Sequence, residues 1–135
     1  MIPITYGKIR NLNRNEIIAA KLHLCKSFFS RLKGMLGEPK PGDSEAYWLI
    51  PCKSIHTLAM RYTIDVYFLS KELKIVKMLK KVKPNRFLPI CFEAHSVLEF
   101  ANGERNCEMG DNLSIIEMDS HESESIVKNE GPVYR

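Results

Sequence analysis

Within fourteen positions this chain of 135 residues places a thiol, an imidazole, a guanidinium and a carboxylate: Cys52, His56, Arg61 and Asp65. A cysteine and a histidine so close can serve as nucleophile and base, or as two ligands for zinc or copper. Cys52 can equally be a small buried hydrophobe. Pro51 and the polar, irregular run after it predict a loop over 52–61. Side chains four residues apart in extended chain stand about 13 Å apart, so that loop must fold back for Cys52 and His56 to meet. A tetrahedral metal centre needs further ligands that the neighbouring residues do not supply, and the sequence calls for neither a metal nor a cofactor.

Asp65 is more informative. It lies inside an apolar run, where an ionised carboxylate must be paired, hydrogen-bonded or open to a wet cavity. His56, Thr57 and Arg61 are near enough in sequence to satisfy it. Glu99 poses the same question on its own strand, opposite in parity to Leu98 and Phe100. One reading is a polar network that pins a loop to the end of a barrel. The other is a mouth lined by His56, Thr57, Arg61, Asp65 and Glu99 that binds a small polar ligand. Two carboxylates beside a histidine would also permit general acid–base work, which leaves open whether the chain is an enzyme.

The elements that must position these residues are mostly strands. Alternating or apolar runs predict strands over 2–9, 16–24, 45–50, 62–69, 73–82, 94–100 and 112–118. The run 62–69 is apolar on both parities and is expected at the centre of a sheet. Residues 70–72 turn it into a lysine-rich partner, whose apolar residues switch parity near Lys77 and imply a bulge there. Those lysines suit a solvated edge strand. His23 reads as a rim histidine. One helix is expected over 27–37, capped by Ser27 and stopped by Gly37. Gly34 inside it suggests a close approach by another group. At most one helical turn is expected over 104–109. Gly103, Gly110 and Asp111 read as turn residues.

The composition suits one domain, placed here at 1–118, followed by a flexible tail over 119–135 that is rich in Ser and Glu. The net charge of +4 is mild and not concentrated as in nucleic-acid binders, so no nucleic-acid partner is expected. No window is apolar enough to span a membrane. The N-terminal residues show no leader-like apolar run, and the four cysteines form no CxxC pair, so we expect a cytoplasmic chain with reduced thiols. The signatures of dinucleotide folds, P-loops, zincins and serine hydrolases are absent from the sequence.

Four pieces in order, SFFSRLKGMLG, CKSIHTLAMRYTIDVYFL, AHSVLEFANG and MGDNLSI, resemble the prokaryotic family known as domain of unknown function 192. The likeness covers about residues 22–116. Its most specific part is S-I-H-T-x-x-M-R-x-x-I-D-V-x-F-L, supported by V-L-E-x-x-x-G and G-D-x-L. The resemblance implies a compact β-sandwich or barrel of jelly-roll type, with no settled activity. Through some relatives it also implies a link to export and to pilus or secretion gene neighbourhoods. Many relatives carry W-M-K-N-T in the central string; this chain departs from them there, and chemistry particular to that branch is not transferred.

The fold expected is therefore mainly β, a compact sandwich or partly closed, jelly-roll-like barrel with one short α-helix packed at an end. The function expected is binding of a small polar molecule at one end of that barrel. The alternatives are a protein-interaction accessory of a surface-appendage or secretion system, and a small hydrolase-like enzyme using Cys52 or the carboxylates.

Overall fold

Strong β-formers alternate along most of the chain, and they form eight strands in the computed structural model: β1 (Ile4–Asn11), β2 (Glu16–Cys25), β3 (Glu45–Leu49), β4 (Ile64–Leu69), β5 (Ile75–Val82), β6 (Ser96–Phe100), β7 (Leu113–Met118) and β8 (Glu124–Val127). The structure describes residues 4–26, 34–101, 103–118 and 124–127; of 4–6, 117–118 and 124–127 it describes the backbone alone. The helix expected over 27–37 falls largely on 27–33, outside the described residues. Residues 34–37 are a turn with Gly34 and Gly37 at positive φ. The helical turn expected over 104–109 is an irregular loop, in which the Asn106 carbonyl accepts from the Asn11 amide rather than from a helix neighbour.

All eight strands join in one sheet, ordered β5-β4-β6-β3-β2-β1-β7-β8. Neighbours pair antiparallel except β2 and β3, which run parallel. A parallel pair needs a long crossover, and here residues 26–44 make it. The strands β1–β7 curl into a half-barrel whose two sides touch at one end. There Lys74 bridges to Asn112, Ile75 N–H donates to Asp111 O at 2.9 Å, and Leu113 N–H donates to Leu73 O at 2.9 Å. The architecture is thus mainly β and built on one curled sheet.

The curl gives the sheet two different apolar faces. Ile9, Leu22, Trp48, Leu98, Phe100, Tyr67, Ile75, Leu113 and Ile115 form one buried cluster drawn from β1–β7. Only the hollow side of a curled sheet brings strands from opposite ends together, so this is the concave core. A second cluster, on the convex side, contains Tyr47, Leu49, Ile64, Val66, Phe68 and Val97 under Met35. The segments 51–62 and 83–94 cover it, running side by side: Thr57 N–H donates to Arg86 O, Leu88 N–H to Ile55 O, and Cys91 N–H to Lys53 O. Strand β6 lies between β3 and β4, and all five of its residues are buried.

The lysine-rich β5 is an edge of the sheet, as expected. Its register against β4 skips Val76, since Phe68 faces Lys77 while Leu69 faces Ile75, which places a bulge beside Lys77. A second irregularity lies between the Ile64–Val82 and Val66–Leu79 pairs, where Lys81 takes φ of 53°.

A buried polar cluster ties the β1–β2 turn to the turn before β7. Asp111 Oδ2 accepts from Asn11 Nδ2 (2.8 Å), Glu108 N–H (2.9 Å) and Arg14 Nε (3.2 Å). Burial alone would raise the Asp111 pKa, but these donors outweigh it and hold the carboxyl below its ordinary value. Stability from the ionised group is then complete above the unfolded-state pKa, and disappears as pH falls through the lower folded value. Asp111→Ala should cost about 1–3 kcal/mol near neutral pH by stranding the Asn11 and Glu108 donors. In urea denaturation the deficit should shrink as the solution is acidified; a deficit independent of pH would contradict this account.

Candidate functional site

Cross-strand register decides which of the chemically active residues can meet. On β6 the pairings Val66–Glu99 and Tyr47–Glu99 put Glu99 on the convex face, between Val66 of β4 and Tyr47 of β3. Asp65 pairs with Phe100 and so points to the concave side. The two carboxylates therefore lie on opposite faces of one sheet, and the five residues expected to line a single mouth are divided.

Asp65 finds partners other than His56, Thr57 or Arg61. Its Oδ1 accepts the Lys81 N–H at 2.8 Å, satisfying the bulge, and its Oδ2 stands 3.5 Å from Arg105 Nη1. The Arg105 guanidinium lies 3.8 Å from the centroid of the Phe100 ring and donates to Asp43 O and Gly103 O. Burial lowers the Arg105 pKa, with Tyr67 and Asp65 acting against that shift. This arrangement pins the 101–107 loop to the end of the half-barrel. Thr57 is also committed: its hydroxyl donates to Lys83 O at 2.7 Å and accepts from Arg86 N–H at 2.9 Å, clamping the two covering segments together. Cys52 donates its thiol hydrogen to Ser54 O at 3.1 Å.

Glu99 and His56, by contrast, line one cavity. It has a volume of about 70 Å³ and is walled by Gly34, Met35, Leu36, Leu49, Ser54, Ile55, Leu58 and Met60. Glu99 is 5% exposed, and among the described residues its buried Oε1 has no hydrogen-bond partner. A Cβ on Gly34 would stand 2.5 Å from that oxygen. The close approach suggested by Gly34 is therefore to the Glu99 side chain. Burial pushes the Glu99 pKa up to about 7, with the Met35 backbone amide acting weakly against it. His56 Nδ1 accepts the Leu58 N–H at 3.2 Å, which puts the proton of the neutral ring on Nε2. Its ring packs at a tilt against Phe87, with 6.1 Å between centroids.

The inner cavity shares Met35, Leu36 and Met60 with a wider outer groove of about 820 Å³ lined also by Glu38, Lys40, Arg61 and Tyr62. Arg61 thus stands on the same face as His56 and Glu99, but in the outer groove. Burial raises the Tyr62 pKa, and the Glu99 charge adds to the effect. His23 is not a free rim residue: its Nε2 pairs with Glu45 at 3.0 Å and its ring stacks on Tyr47 at 4.5 Å. Among the described residues no group of three or more His, Cys, Asp or Glu is placed to hold a metal ion, and no helix is long and apolar enough to cross a membrane.

A carboxyl whose folded pKa is raised favours the fold while it stays protonated. That contribution is complete below the ordinary value of 4.5 and is lost as pH rises toward about 7. Glu99→Gln should remove this slope, gaining on the wild type by at most about 3 kcal/mol across the window. Urea midpoints between about pH 4 and 8 would show it; a constant offset between the two proteins would refute the assignment.

Similarity to other proteins follows the fold. A protein of unknown function from Novosphingobium aromaticivorans DSM 12444 superimposes with a TM-score of 0.68 at 15% identity, over 80% of this chain and 82% of that one. A protein from Sinorhizobium meliloti 1021, described as a candidate transcription regulator, gives 0.67 at 13% identity, over 82% and 95%. At such identities the likeness is one of fold. No curated protein gives a match. The sequence profile of the uncharacterised family DUF192 matches residues 9–115, which spans β1 to β7 and every residue of the cavity, and the chain belongs to that family.

Proposed function

We propose that the chain is a small-ligand-binding β-domain whose site is the convex-face cavity. Glu99 forms its floor, His56 its wall, and Arg61 stands in the outer groove. The observation that supports this most is the Glu99 carboxyl on the cavity wall, an acid whose Oε1 is buried and has no partner among the described residues. Such a carboxyl costs stability, and a guest donating to the part of it that faces the cavity would offset that cost. His56 offers a second polar contact through Nε2–H. In this reading Thr57 holds the roof of the site, and Asp65 serves the loop network at the other face. No disulfide joins the four cysteines, which suits the cytoplasmic setting read from the sequence.

The reading is tested by thermal shift with a panel of small polar compounds. A compound that stabilises the wild type should lose most of its effect on Glu99→Gln and His56→Ala, yet keep it on Asp65→Asn. A panel without effect on the wild type, or an effect abolished by Asp65→Asn alone, would overturn it.

One observation favours a second reading, a protein-interaction accessory. Phe87, Ile90 and Phe92 are 75%, 56% and 80% exposed on a single covering segment, and exposed apolar groups placed together mark contact surfaces. A double substitution, Phe87→Ser with Phe92→Ser, should abolish partner capture and change stability by less than about 0.5 kcal/mol. Unchanged capture would exclude this surface.

A further inference from the structure

The chemistry of the cavity restricts what it can hold. Among the described residues its lining contains no lysine or arginine, and His56 is neutral when its Nδ1 accepts from Leu58 N–H. The one ionisable acid faces walls made mostly of methylene and thioether groups from Met35, Leu36, Leu49, Ile55, Leu58 and Met60. An anionic guest would set like charges together in a poorly solvated place. A neutral apolar guest would leave the Glu99 carboxyl unmatched. A cation that donates hydrogen bonds matches it in both charge and geometry.

Size narrows the choice. The volume of about 70 Å³ equals roughly two waters at about 30 Å³ each. That admits a compact head group with a short length of chain, not a whole ring system. The remainder must lie along the outer groove through the shared residues Met35, Leu36 and Met60.

We propose that the cavity takes a protonated aliphatic amine, its ammonium donating to the Glu99 carboxylate and its methylenes lying against Leu49, Ile55, Leu58 and Met60. The proposal rests on the reading of the cavity as a ligand site. Two sources present this chemistry, a free alkyl di- or polyamine and a lysine side chain of a peptide. They differ in what emerges into the groove beside Glu38, Lys40 and Arg61. Ionising Glu99 to receive the ammonium releases a proton, so binding should strengthen as pH rises through the Glu99 titration. The groups around Glu99 that share in this balance are His56 across the cavity, Tyr47 and Cys25 on the β3 side with His23 beyond, and Tyr62 and Glu38 above the Met35 turn. Val66 on β4 adds none.

Calorimetric titration of the full chain tests the proposal with n-butylamine, 1,4-diaminobutane and Nα-acetyl-lysine methylamide, against n-butanol, butyramide and butyrate. The amines should bind, more weakly by about tenfold near pH 5.5 than near pH 8, with heats that change with buffer ionisation in proportion to proton release. Butanol, butyramide and butyrate should not. Preference for the diamine over the lysine derivative assigns a free amine, and the reverse assigns a peptide lysine. Glu99→Gln should lose amine binding, and Leu58→Trp, which fills the cavity but keeps the acid, should lose it as well. Amines that bind no better than butanol, or that bind Glu99→Gln undiminished, would overturn the amine assignment. If butyramide or butanol bound instead and Leu58→Trp blocked them, the ligand site would stand and only the class would fall. No binding by any compound would remove both.

Discussion

The structure is constrained above all by one carboxyl group set into the strand with the least access to water. Strand β6 has neighbours on both sides and apolar layers on both faces, so Val97, Leu98 and Phe100 there serve packing. Glu99 interrupts this pattern and brings a group that water would normally solvate. The surroundings respond in two ways. The proton is held to an unusually high pH, and the chain passing overhead presents a glycine, since any larger residue at position 34 would collide with the carboxyl. A leucine at position 99 would fill this space at lower cost.

The two faces of the sheet divide the work. The concave face gathers its large residues from seven strands and is closed at one end by hydrogen bonds between the start of β5 and the approach to β7. Among the described residues the convex face is covered by loops, and a covering made of loops leaves gaps. The crossover forced by the parallel β2–β3 pair supplies the Gly34–Met35 turn, and the clamp at Thr57 holds the rest of the roof. The Asp65–Arg105 network belongs to the other side, where it fastens a loop; carboxylates on opposite faces thus hold a loop in one case and line a cavity in the other.

Much of the fold was legible from periodicity, because strand order along the chain is a local property. The edge position of the lysine-rich β5 and the bulge beside Lys77 follow from which parities are apolar, and so does the interior place of β4, which lies one strand in from that edge rather than at the centre of the sheet. The grouping of the site was not legible, because it depends on register between strands. Within its own strand Asp65 shares a parity with Tyr67 and Leu69, and Glu99 one opposite to Leu98 and Phe100. Whether those parities face the same way is set by the pairing of Val66 with Glu99, which no local pattern encodes. Likewise Gly34 announced a close approach but not its partner, 65 positions on. Arg105 lay in a polar stretch with nothing to signal that its guanidinium would stack on Phe100 and reach Asp65. The His23–Glu45 pair depended on parallel pairing across the crossover and was equally hidden.

The central claim is that Glu99 is a buried acid beside unfilled space, and the titration of its carboxyl carbon by NMR in the ligand-free protein tests it most directly. A midpoint near 7, well separated from those of the exposed glutamates, is the result this account predicts. A midpoint at the ordinary glutamate value of 4.5 would mean that water or a basic group already satisfies the carboxyl, and would contradict it.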